Sequence, residues 1–79
     1  MKDNSSFVDL YGLDLPTQMT SINSALERAT QGAICEVLTD QQMIATYIIP
    51  KALAQNVRCK VSPTEGGWKI NLTPREKKI

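Results

Sequence analysis

The run Asp9-Leu10-Tyr11-Gly12-Leu13-Asp14-Leu15-Pro16 stands where an apolar segment gives way to a helical one, and this junction is the natural seat of chemistry in the chain. A residue just before a helix-initial proline sits among unpaired backbone N–H groups and at the positive end of the helix dipole, which together favour an anion. A cysteine there would be activated, since lowering a thiol pKa from ~8.5 to ~6.5 raises the thiolate share at pH 7 from ~3% to ~75%. The residue in that place is Leu15, which cannot act as a nucleophile. The two thiols of the chain, Cys35 and Cys59, lie elsewhere in strand-like segments. Cys35 has no basic neighbour, and Arg58 and Lys60 beside Cys59 alternate to the other side of its strand, so both thiols read first as buried filler. Asp9 and Asp14 are candidate paired carboxylates for acid–base work. Nothing positions a substrate between them, and Asp14 next to a helix start is expected to serve the dipole instead.

The chain has 79 residues and no histidine, so the commonest general base, proton shuttle and zinc ligand are all missing. Two thiols without histidine make a poor metal site, and neither metal nor cofactor is expected. Nine Lys and Arg against eight Asp and Glu leave a charge of +1, without the basic excess that binding along a phosphate backbone requires. Arg58, Lys60 and Lys69, with Lys51 and the terminal lysines, are read as a solvated face before a basic docking patch. The opening Met1 to Ser6 lacks the apolar core of a signal peptide, and no run approaches the ~20 apolar residues of a membrane span. The expectation is a cytoplasmic protein with free thiols.

What must position the junction is a small fold, because a chain of this size buries only roughly 60–65% of its unfolded surface and supports one core. Phe7, Val8 and Leu10 read as a short first strand. Met19, Ile22, Ala25, Leu26 and Ala29 recur at threes and fours, one face of an amphipathic helix over 17–30, with Pro16 in its first turn and Gly32 past its end. Ala33 to Thr39 reads as a strand with Cys35 and Val37 inward and Glu36 toward water. Gln41 to about Gln55 returns to helical spacing, so that Pro50 requires a late start, a kink or a second helical piece. Val57, Cys59 and Val61 alternate with polar residues, Pro63 to Gly67 is a turn, and Trp68, Ile70 and Leu72 return as the other arm of a hairpin. Trp68, in phase with Ile70 and Leu72, is expected in the core.

The sum is an α+β chain of β-α-β-α-β-β order. It predicts a two-layer sandwich with a mixed four-stranded sheet, both helices on one face and the other face largely open. Residues 7–73 form the domain, with polar, disordered leads at 1–6 and 74–79.

Over about Val8 to Leu72 the chain resembles the TusA/SirA-like sulfur-carrier family, marked by Gly-x-x-Cys-Pro-x-Pro at this junction. Gly12, Leu13 and Pro16 fall on the pattern, Gly32 follows at the family interval, and Ile49-Pro50 stands where the family has an Ile-Pro. The resemblance implies the same β-α-β-α-β-β sandwich. It also implies that the sulfur-carrying cysteine corresponds to Leu15 and the second marker proline to Gln18, so the reactive group is replaced. The acidic residue before the family's Ile-Pro is Ile48 here, and the glycine before the third strand is Asn56.

The leading expectation is therefore a non-catalytic protein-binding module linked to sulfur relay or its regulation, with other proteins, such as sulfur-relay components, as partners. One alternative is an active persulfide carrier using Cys35 or Cys59. Another is an RNA-binding module, from the chain order shared with the C-terminal domain of a translation initiation factor; balanced charge and few aromatics argue against it.

Overall fold

The apolar stripe of the first helix, Ile22, Ala25, Leu26 and Ala29, must be covered by a second layer, and the strand-rich remainder of the chain supplies a sheet for it. The computed structural model, which describes residues 5–75, shows this sheet. The elements are β1 (Ser5–Asp9), α1 (Leu15–Thr30), β2 (Ile34–Thr39), α2 (Gln42–Ala54), β3 (Val57–Pro63) and β4 (Trp68–Pro74). The strands lie in the order β1-β2-β4-β3. β1 and β2 are parallel, whereas β4 runs antiparallel to both β2 and β3 and separates them. This is the expected α+β sandwich with a mixed four-stranded sheet.

The core lies between sheet and helices. Leu10, Ile22, Ala25, Ala29, Cys35, Val37, Ile44, Ile48, Ala52, Ile70 and Leu72 are all essentially inaccessible. Cys35 and Val37 are buried and Glu36 is half-buried, as the alternation predicts. Trp68 is partly buried and packs on the edge of this cluster. On the opposite side of the sheet Phe7 and Ile34 remain 59% and 46% exposed, and Glu36 pairs with Lys69 at 3.3 Å.

Several boundaries differ from the sequence reading, each for a backbone reason. Ser5 and Ser6, expected in a disordered lead, belong to β1, where they pair with Ile34 and Cys35 of β2. Pro74 closes β4 opposite Val57 instead of opening a tail. In both cases the pairing comes from the neighbouring strand, which the residue types themselves do not advertise. The remaining parts of those expectations, at 1–4 and 76–79, lie outside the described residues.

α1 starts two residues before Thr17, at Leu15, because Asp14 caps it: its extended backbone turns the chain in, and its carboxylate accepts from the Thr17 N–H at 3.0 Å. At the other end Gly32 adopts φ +107°, a region that favours glycine, and Ala33 N–H closes on the Arg28 carbonyl.

α2 runs through Pro50 as one helix. The carbonyl one turn back, on Thr46, loses its helical donor, but Thr46 and Pro50 both stand on the exposed side of the helix, where solvent can supply a donor. The helix ends at Ala54, and the chain turns away at Asn56, whose φ of +62° is the left-handed conformation that asparagine tolerates best after glycine. This accounts physically for asparagine where the resemblance has glycine.

Candidate functional site

The β1–α1 junction is built from backbone turns held by side chains from three other places in the fold. Leu10 N–H still bonds to the Leu38 carbonyl at 2.8 Å, after which the chain leaves the sheet. Asp9 accepts from Tyr11 N–H at 3.0 Å, and Leu13 N–H closes a turn on the Leu10 carbonyl at 3.2 Å. Gly12 takes φ +81° in this turn, and its N–H reaches Asp40 Oδ2 at 3.1 Å across the gap to the β2–α2 turn. Tyr11 hydroxyl meets Thr64 Oγ1 at 2.7 Å, which ties the loop to the β3–β4 turn as well.

Gln18 is the centre of this arrangement. Its side chain is fully buried, and each of its hydrogen-bonding groups is used. Nε2 donates to the Leu13 carbonyl and to Asp40 Oδ1, both at 3.0 Å, while Oε1 accepts from the Thr39 hydroxyl at 2.5 Å. The Thr39 oxygen in turn accepts from Gln41 N–H at 3.0 Å, just ahead of α2. Among the described residues no buried side-chain polar atom lacks a partner, so the network is closed. Gln18 therefore connects α1, the loop after β1 and the turn after β2.

Leu15 is the first residue of α1, followed by Pro16, and its side chain is partly buried against the core. The helix's own anion is already present. Asp14 carboxylate takes the Thr17 donor, Pro16 has none to offer, and the residue position that would activate a thiol adjoins a fixed negative charge. Hydrogen bonds from the Thr17 side chain and then its N–H hold Asp14 below the ordinary carboxylate pKa; the Gln18 amide and then the Gly12 N–H do the same for Asp40. Asp9 and Asp14 each bind a local backbone donor, so the structure gives the pair no shared acid–base site.

These shifts fix the sign of an acid effect. A carboxylate whose folded pKa lies below its usual 3.8 contributes stability above that value, and the contribution is lost as pH falls through the folded pKa. The melting temperature is therefore expected to hold between about pH 7 and 5 and to drop below about pH 4. Asp40→Asn should flatten part of this acid limb. A set of thermal melts across pH checks it, and an identical limb in the variant would remove Asp40 from the account.

Of the two thiols, Cys35 is buried, with Sγ donating to the Ala25 carbonyl and accepting from Ser6 Oγ, both at 3.4 Å. Cys59 is half-buried, and burial pushes its thiol pKa up. The setting of Cys59 does not favour a thiolate. Both face Leu72, one from each side, so two strand spacings of about 4.8 Å separate them, more than a disulfide spans.

The residues singled out in the sequence thus divide. Gly12, Leu13, Leu15, Pro16 and Gln18 do come together, whereas Cys35 and Cys59 lie in the sheet away from them. Thr39, Asp40 and Thr64, and the contact of the Tyr11 hydroxyl, are added by the structure. One signal existed for Gln18: it extends the Ile22, Leu26, Ala29 stripe by one turn, and a polar residue in a buried stripe needs partners. Among the described residues no helix is long and apolar enough to cross a membrane. Compared with protein-family models, with curated proteins and with solved structures, the chain matches none.

Proposed function

We propose that this chain is a non-catalytic, protein-binding relative of TusA/SirA-like sulfur carriers, which docks sulfur-relay proteins around the start of α1 and itself carries no sulfur. The observation that supports it best is the pairing of Leu15 with the Asp14 cap. The first helical position holds an aliphatic side chain, and the helix terminus that would sharpen a thiol faces a carboxylate of the same chain. The rest of the junction is kept and braced, with Leu13 42% exposed and Tyr11 at the surface, a small apolar area on a rigid loop.

The test separates docking from chemistry. Wild-type chain, mixed with a cysteine desulfurase and an active sulfur carrier, should gain no sulfur by mass spectrometry yet slow the loading of the carrier by competing for its partner. Leu13→Asp should abolish this competition. Sulfur found on the wild-type protein, or no competition at a large excess, would defeat the proposal. Leu15→Cys should accept sulfur slowly because of Asp14; adding Asp14→Ser keeps a capping oxygen, removes the charge and should raise the thiolate fraction at neutral pH by roughly tenfold. Alkylation rates across pH measure that difference directly.

A further inference from the structure

The face of the sheet turned away from the helices carries its charges in two halves. On the β1–β2 half stand Phe7, Asp9, Ile34, Glu36 and Leu38, apolar and acidic. On the β4–β3 half stand Lys69, Asn71, Arg58 and Lys60, basic and polar. The strand register aligns them in rows: Phe7, Glu36, Asn71 and Lys60 form one, and Asp9, Leu38, Lys69 and Ser62 the next. Lys69 already pairs with Glu36, while Arg58 and Lys60 form no ion pair among the described residues. Phe7 and Ile34 are far more exposed than their types predict.

From this division we infer that the open sheet face binds a second copy of the same chain. A two-fold axis parallel to the strands, between β2 and β4, lays β1 over β3 of the second copy and β2 over its β4, and keeps every row in step. Phe7 then lies over Lys60 of the second copy, as a ring under an ammonium group, and Leu38 lies under the methylene stem of Lys69. Asp9 falls diagonally within reach of the second copy's Lys60. The contacts repeat by symmetry. A purely acidic partner would meet Asp9 and Glu36, and a purely basic one Arg58 and Lys60; the chain's own face is complementary to both halves at once.

The area is consistent with a reversible dimer. Four strands about 4.8 Å apart and about six residues long make a face roughly 20 Å on a side. With side-chain relief, this removes on the order of 1,000–1,400 Å² of total surface, the lower end of specific interfaces.

Sedimentation equilibrium of the full chain tests it. The weight-average mass should rise from 8.8 kDa towards twice that between about 10 µM and about 1 mM, and fall back in about 0.5 M salt. Phe7→Asp and Lys60→Glu, both at exposed positions, should each weaken association at least about tenfold, and Phe7→Ala should do so with minimal change to the strand. Leu53→Asp, on the exposed side of α2, should leave it unchanged. A wild-type chain monomeric at about 1 mM overturns the inference, as would happen if the face served another protein. Association that Leu53→Asp removes and Phe7→Asp leaves intact overturns it as well.

Discussion

Gln18→Ala is expected to destabilise the protein by about 3–5 kcal/mol and to lower the melting temperature by roughly 15 °C or more. Two effects add. The truncation opens a cavity under a fully buried side chain, and it strips the buried Thr39 hydroxyl and the Leu13 carbonyl of their partner. Gln18→Met separates them, because it keeps most of the volume and loses the hydrogen bonds; about half of the alanine cost should remain. Thr39→Val should cost less on the Gln18→Met background than on the wild type, and the double variant less than the sum of the two singles, since both remove the same bond. Thermal and urea melts of the four variants beside the wild type decide it. A Gln18→Ala protein within about 1 kcal/mol of wild type would show that the network is ornamental.

The second large effect sits in the hairpin. A Cβ on Gly67 would stand 2.1 Å from the Thr39 carbonyl oxygen and 2.9 Å from Asp40 Cα, both backbone atoms that no rotamer change can move. Gly67→Ala must therefore displace the β3–β4 turn from the β2–α2 turn, at a cost of about 2–4 kcal/mol. The neighbouring glycine is the control. A Cβ on Gly66 would meet only the Tyr11 ring, at 3.8 Å, an ordinary contact, and Gly66→Ala should change stability by less than about 0.5 kcal/mol. Amide chemical shifts give a second reading: Gly67→Ala should perturb Thr39 to Gln41 and, through Asp40, the Gly12 N–H, whereas Gly66→Ala should leave Gly12 in place. Equal behaviour of the two variants would contradict the close approach. If Gly67→Ala does not fold at all while Gly66→Ala does, that contrast is itself the outcome the close approach predicts.

What could be read beforehand was whatever one segment carries within itself. The stripe from Ile22 to Ala29 announced α1, the alternation of Val57, Cys59 and Val61 announced β3, and their order announced the sandwich. Periodicity says which side of an element is apolar, but it is silent about which strand lies next to which. Hence the place of β4 between β2 and β3 was open until the structure showed it. The junction was legible in its residues and illegible in its bracing. Gly12, Leu15 and Pro16 stand together in the chain, whereas Asp40 reaches them only because β1 and β2 pair in parallel and bring their ends side by side. Pro50 marked a conflict correctly, and its resolution depended on Thr46 being open to water, which a sequence does not display.

β1 is the outermost strand on its side and has only β2 as a neighbour among the regular elements. It is also short, five residues with alternate positions uncovered. Local opening should therefore begin there and not in β4, which is flanked on both sides. Peeling β1 away would ordinarily drag the following loop with it, yet Gly12, Leu13 and Tyr11 are fastened to parts of the molecule that do not peel. The loop acts as a stop, so that the first strand can breathe while the beginning of the first helix keeps its shape.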